Sequence, residues 1–167
     1  MDKISLLEYQ RKLSARLVNL EGGQRVSKLG VQAGAGAWLI DLADAGEVIP
    51  VPPVSRVPLT RPWFAGLVNV RGILYTVVDF SLFLGGAPTV LGDRSRLMLI
   101  GEQHRVNCGL LIDRVHGLYR NEQLSPARGT AHAAWSSGSF DDAQGNAWQQ
   151  LDVSGLVAHA DFLNVGA

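Results

Sequence analysis

From Ser27 to Asp152 the chain is divided into apolar-rich runs of about five to eight residues, each bounded by glycine, proline or polar residues. Runs of that length, rich in Val, Ile and Leu, suit short strands and leave no room for long helices between them. Ser27–Ala33 and Ala37–Leu42 flank Gly34-Ala35-Gly36, which reads as a hairpin turn. Glu47–Val51 is a further strand. Gly66–Arg71 and Ile73–Phe80 form the strongest pair, with Gly72 at the hinge. Arg96–Gly101 and Asn107–Val115 flank a polar turn at Glu102–Arg105, and Leu118–Leu124 and Ala147–Asp152 complete the set. Gly129–Gly145, rich in Ala, Ser and Gly, reads as a loop carrying Trp135 and Phe140. Strands at these intervals predict a mostly β protein of small antiparallel barrels and argue against a βαβ sheet.

Five of the seven prolines lie between Pro50 and Pro62. Proline has no N–H to give to a ladder, so this stretch is an extended connector or a sheet edge. Arg61–Ala65 is expected to form one helical turn, and Ser81–Leu84 another, stopped by Gly85-Gly86. A helix is predicted at each end. Ser5-Leu6-Leu7-Glu8 fits a capping box, Leu6, Leu13, Leu17 and Leu20 share a face, and Gly22-Gly23 stops the pattern. Residues 1–23 are therefore expected to be a helical extension, either packing on the body at 24–167 or docking a partner. Val153–Ala160 reads as a short terminal helix.

Charge narrows the partners. Fifteen Lys and Arg balance fifteen Asp and Glu, for a formal charge of zero. Affinity for nucleic acid rests largely on clustered positive charge, and so does attraction to an anionic membrane surface. Neither fits here. Asp2, Ser5 and Glu8 interrupt the N-terminal apolar residues, so no signal-peptide core forms. Phe64–Leu84 is long enough to cross a bilayer but carries Asn69, Arg71 and Asp79. A charge at mid-bilayer costs roughly 2.5–3.5 kcal/mol, and two strands joined by a turn explain the stretch better. A cytoplasmic protein without direct membrane insertion is expected.

No catalytic set emerges. A dinucleotide fingerprint starting at Gly34-Ala35-Gly36 would need glycine at position 39, which is Leu39. His104, His116, His132 and His159 lack a second His or Cys at ligand spacing and read as exposed, unliganded imidazoles. Cys108, the one cysteine, sits in an apolar strand as a buried, inert thiol. Ser136-Ser137-Gly138-Ser139 is loop composition and no nucleophile elbow. Asp141-Asp142 with Gln144-Gly145-Asn146 lacks the spacing of a calcium loop. Glu47, Asp79 and Asp113 are acids in apolar strands, best explained by ion pairs or backbone hydrogen bonds. The expectation is no enzyme, no metal and no cofactor.

The most unusual local feature is Asn69-Val70-Arg71-Gly72 between two core-like strands. A guanidinium there must find an acceptor or reach the surface. It either pairs with a structural acid or stands at a strand end, offered to a partner.

In these residues the chain resembles the CheW-like chemotaxis coupling domains. Their pattern of glycine, two apolar residues, asparagine, apolar residue, arginine, glycine and a strand ending in aspartate is matched by Gly66–Phe80. Trp38–Leu42 followed by Glu47-Val48-Ile49 matches upstream, and Gly109-Leu110-Leu111-Ile112-Asp113-Arg114-Val115 downstream. Leu151-Asp152-Val153 leads into the terminal helix as in the family. The resemblance runs from about Ser27 to Leu163. Thr76 replaces a usual proline, and Ala45 stands where a bulkier apolar residue is common. With the N-terminal extension, these departures resemble the branch that serves type IV pilus (twitching motility) systems.

The resemblance implies two small five-stranded, SH3-like barrels over a shared hydrophobic seam. It implies a non-catalytic adaptor that binds the cytoplasmic tip of a methyl-accepting chemoreceptor and the regulatory domain of a CheA-type histidine kinase. Ala45, Glu47, Asn69, Arg71 and Val115 are, by position, candidates for the receptor-facing surface. Each also has a structural reading: Ala45 and Val115 as packing, Glu47 as an edge charge, Asn69 as a turn residue. The alternative is a generic SH3-like or OB-type barrel that binds a ligand. Against an OB-type nucleic-acid binder stand the neutral charge and the scattering of Trp63, Trp135 and Trp148.

Overall fold

The short apolar runs fold into β-strands of three to eight residues; the computed structural model describes residues 26–129 and 133–167. In chain order these are β1 (Val26–Ala33), β2 (Gly36–Asp41), β3 (Ala45–Pro50), β4 (Phe64–Val70) and β5 (Ile73–Asp79). They continue with β6 (Arg96–Ile100), β7 (Cys108–Ile112), β8 (Arg114–Arg120), β9 (Leu124–Pro126), β10 (Ser136–Asp142) and β11 (Ala147–Leu151). Among the described residues three short α-helices accompany them: α1 (Phe80–Phe83), α2 (Val153–Ala158) and α3 (Ala160–Leu163). The predicted N-terminal helix falls outside the described residues.

Two sheets result. One has six strands in the order β8-β1-β2-β11-β10-β9, the other five in the order β3-β6-β7-β5-β4. The chain crosses from the first to the second through the turn after β2, and back at Asp113, between β7 and β8. The connector beyond β3 returns to the free edge of β4, where Ser55 and Leu67 exchange both backbone bonds at 2.8 and 2.9 Å. That bridge makes the five-stranded sheet curl.

The largest core joins the sheets. Leu29, Val31, Trp38, Ile40 and Leu151 of one pack with Val78, Met98, Ile100, Leu110 and Ile112 of the other, and Phe80, Val153, Leu156 and Phe162 add the helices. Leu97, Leu99 and Leu111 instead join Val68, Val70 and Val77 in a second core within the five-stranded sheet. Strands β6 and β7 thus alternate between two apolar faces, which is why they read as unbroken hydrophobic runs. A smaller cluster of Leu39, Leu124 and Trp148 fills the six-stranded half.

Several expectations need correction. The run Asn107–Val115 is two strands, because Asp113 breaks it and sends each half to a different sheet. Leu118–Leu124 is the end of β8, a 3-10 turn at Asn121–Gln123 and the start of β9. Gly129–Gly145 holds β10, whose Phe140 sits opposite Trp148 of β11. One sheet has six strands where five were expected, the three-residue β9 being one of its edges. Two pairings, β2 with β11 and β5 with β7, are parallel. Arg61–Ala65 makes only a turn before β4 begins at Phe64, and His159 divides the terminal helix.

Candidate functional site

Strands β4 and β5 meet in a two-residue turn. Val70 pairs with Ile73, and between them Arg71 has φ +51° and Gly72 φ +84°. Positive φ at both central positions is the type I′ geometry, whose twist matches that of the strands it joins. Gly72 supplies it freely, whereas at Arg71 the left-handed conformation is uncommon for a side chain. Asn69 Oδ1 accepts from the Gly72 N–H at 2.8 Å and fixes the turn. The turn reading of Asn69 is therefore correct, and its consequence is to present Arg71 at the hairpin tip.

Glu47 comes to Arg71 from β3. Between Ala45 and Val48 the pairing of β3 with β6 slips by one residue, so Gly46 and Glu47 form a bulge. Such a bulge leaves the ladder and re-aims a side chain. The two carboxylate oxygens of Glu47 take the guanidinium of Arg71 as a fork: Nη1 donates to Oε2 at 2.8 Å and Nη2 to Oε1. Hydrogen bonding to Glu47, then its charge, raises the Arg71 pKa further above its ordinary value. The side chains remain 64% and 46% exposed, so water screens the pair and it adds little to stability. Arg71 thus both pairs with an acid and faces solvent. Beside it in the hairpin, Ile73 and Leu74 are exposed apolar residues.

Ala45 and Val115 take no part in this fork. Both are half-buried against the inter-sheet core, Ala45 from the five-stranded sheet and Val115 from β8 of the other, opposite Val31. The structure brings together Glu47, Asn69 and Arg71, and places Ala45 and Val115 along the seam.

The glycine that opens the hairpin motif also has a reason. Gly66 has φ +140°, and a Cβ there would collide with the carbonyl oxygen of Ser55 in the connector bridged to β4.

The remaining embedded acids are structural. Asp79 Oδ1 caps α1 by accepting from the Leu82 N–H at 3.2 Å and takes the Thr89 hydroxyl at 2.8 Å; Oδ2 takes the Thr89 N–H at 2.9 Å. Asp113, at the second crossing, accepts from the Gly34 N–H at 2.5 Å. Burial pushes the Asp142 carboxyl up, but bonds from Asn146, Trp148 and the Gln144 N–H outweigh this and hold it at about 2. Burial pushes the Cys108 thiol up to about 11. Among the described residues, no three or more of His, Cys, Asp and Glu gather as a metal site, and no helix is long and apolar enough to cross a membrane.

Among the described residues, His104 departs most from the expectation of an exposed imidazole. The His104 side chain is only 7% exposed, with Nε2 2.8 Å from Asp44 Oδ1. Its partner lies sixty residues away in another turn, so nothing local in the sequence signals the contact.

The profile of the CheW-like domain matches residues 28–161. Protein PilI of Pseudomonas aeruginosa is 30% identical over 162 residues, covering 93% of this chain and 89% of that protein. Chemotaxis protein CheV3 of Helicobacter pylori is 26% identical over 99 residues, 58% of this chain and 31% of its own length. Among solved structures, the scaffolding protein TtCheW from Thermoanaerobacter tengcongensis superposes with a TM-score of 0.62 at 20% identity. The match covers 75% of this chain and 88% of that one, and it shows the shared fold.

Proposed function

The chain belongs to the CheW-like domain family of chemotaxis-type coupling adaptors, and from that premise we propose that it joins a chemoreceptor to a histidine kinase. The receptor partner is the cytoplasmic tip of a methyl-accepting protein, and the kinase partner is the regulatory domain of a CheA-type enzyme. Likeness to PilI over 93% of the chain favours a type IV pilus (twitching motility) pathway. The protein works in the cytoplasm by binding alone, without a cofactor.

The observation that carries this reading is the forked Glu47–Arg71 pair at an exposed hairpin tip beside Ile73 and Leu74. A fixed, planar guanidinium flanked by apolar side chains is a composition typical of protein–protein hot spots. In this proposal Glu47 and Arg71 face the receptor, Asn69 holds their turn, and Ala45 and Val115 shape the seam alongside.

The test is capture of purified partners. The tagged chain is mixed with a receptor-tip fragment, with the kinase regulatory domain, and with both. The proposal expects each to bind and all three to elute together. Retention of neither fragment would refute it.

A further inference from the structure

Glu47 occupies the weakest part of its strand. β3 is an outer strand of its sheet, and the slip in pairing takes Gly46 and Glu47 out of the β6 ladder. The direction of the Glu47 side chain therefore depends on how the two flanks of the bulge are held. The C-terminal flank is secured by Val48 opposite Met98 and Ile49 opposite Leu97. On the N-terminal side Ala45 pairs with Ile100, and before it Asp44 lies in the turn where the chain has just left the six-stranded sheet.

That flank is tied down from three directions by residues 101–104. The Gly101 N–H donates to the Asp44 carbonyl at 2.8 Å. The Gln103 amide donates to the Ala43 carbonyl and lies 3.4 Å from Asp44 Oδ1. His104 Nε2 lies 2.8 Å from the same oxygen, with the imidazole nearly buried. A carboxylate only accepts, so Nε2 carries the hydrogen. The His104 ring is nearly buried while the Glu47–Arg71 fork is exposed, so water screens the first contact less than the second.

We infer that the Asp44–His104 pair is a positioning latch: it holds the start of β3 so that the bulge aims Glu47 at Arg71. His104 touches no partner in this scheme and acts through Glu47. The consequence for binding rests on the proposed function, whereas the consequence for the fork does not.

The experiment reads both. The Arg71 Nε–Hε resonance in 15N-labelled full-length protein reports the fork, and titration with the receptor-tip fragment reports binding. His104→Ala should move the Arg71 resonance to its position in Glu47→Ala protein and weaken the fragment about fivefold, a coupling of ordinary size for neighbouring groups. In a Glu47→Ala background the same change should alter affinity less than twofold. His104→Gln, whose amide can still donate to Asp44, should restore both readouts. If His104→Ala does not fold, Asp44→Asn is read by the same resonance and is expected to show a smaller displacement in the same direction. An unmoved Arg71 resonance in a folded latch variant would overturn the inference. So would equal losses of affinity with and without Glu47. If Glu47→Ala leaves fragment affinity unchanged, the receptor-facing role fails, and the Arg71 resonance alone still decides the latch.

Discussion

Asp79→Ala should cost this protein much of its stability. The Asp79 residue is 5% exposed and accepts three hydrogen bonds, two from Thr89 and one from the first turn of α1. Removing the carboxylate leaves the buried Thr89 N–H and hydroxyl without it, at about 1–3 kcal/mol for each abandoned group before relaxation. Loss of the helix cap adds about 0.5–2 kcal/mol. Thr89 is itself only 9% exposed, so water reaches these donors poorly. Allowing for rearrangement of the loop, a net loss of about 3–5 kcal/mol follows, a large part of the 5–15 kcal/mol typical of a whole domain. For a chain of this size that lowers Tm by about 10–15 °C. Asp79→Asn should fall between, because one oxygen still accepts but an NH₂ group must also be accommodated among N–H and O–H donors. Urea unfolding followed by tryptophan fluorescence, beside a thermal melt, measures both variants. A loss below about 1 kcal/mol for Asp79→Ala would refute the assignment of this acid as a structural hub.

Arg71→Ala should melt with the wild type, since the fork is exposed, yet bind a receptor-tip fragment about thirtyfold more weakly, as loss of a hot-spot arginine typically does; a melt and a titration on one preparation separate the two. Gly66→Ala should unfold or strongly destabilise the protein, because the new methyl group meets the Ser55 carbonyl oxygen and the residue must keep φ +140°; far-UV circular dichroism and a urea midpoint show it. Cys108 should resist thiol reagents at pH 8 in the folded protein and react at once in denaturant, given a pKa of about 11 in a buried strand. The Asp142 carboxyl, held at about 2 against an ordinary 3.8, contributes stability that is fully present above about pH 4 and lost as pH falls toward 2. Urea midpoints at pH 6, 4 and 2.5 should fall less steeply over the two lowest values in Asp142→Asn than in wild type.

How far the sequence exposed these features depends on the range of the interactions. The β4–β5 hairpin was legible because its apolar runs and Gly72 are contiguous, and the turn chemistry needs only Asn69, Arg71 and Gly72. Strand β10 was not, since Ser136–Ser139 carries little β signal; pairing with β9 and β11 on its two sides imposes the strand. The break at Asp113 was hidden because residues on both sides of it suit strands, and only the exchange of sheets and the bond from Gly34 show why the acid stands there. Of the candidate surface, the residues were readable one by one, but the Glu47–Arg71 fork requires a bulge in β3 and contact across twenty-four positions. The contact of His104 with Asp44 is likewise a product of two turns meeting in space.

The central claim is that this chain transmits receptor state to a kinase, and autophosphorylation in a reconstituted system tests it most directly. Receptor-containing membranes and a CheA-type kinase are assayed alone, with the wild-type chain, and with Arg71→Ala. Coupling predicts that the wild-type chain makes the kinase rate depend on receptor ligand, and that Arg71→Ala does so only weakly and at much higher concentration. A kinase rate that ignores the wild-type chain, in membranes where an established adaptor of the same pathway does establish control, would contradict the account.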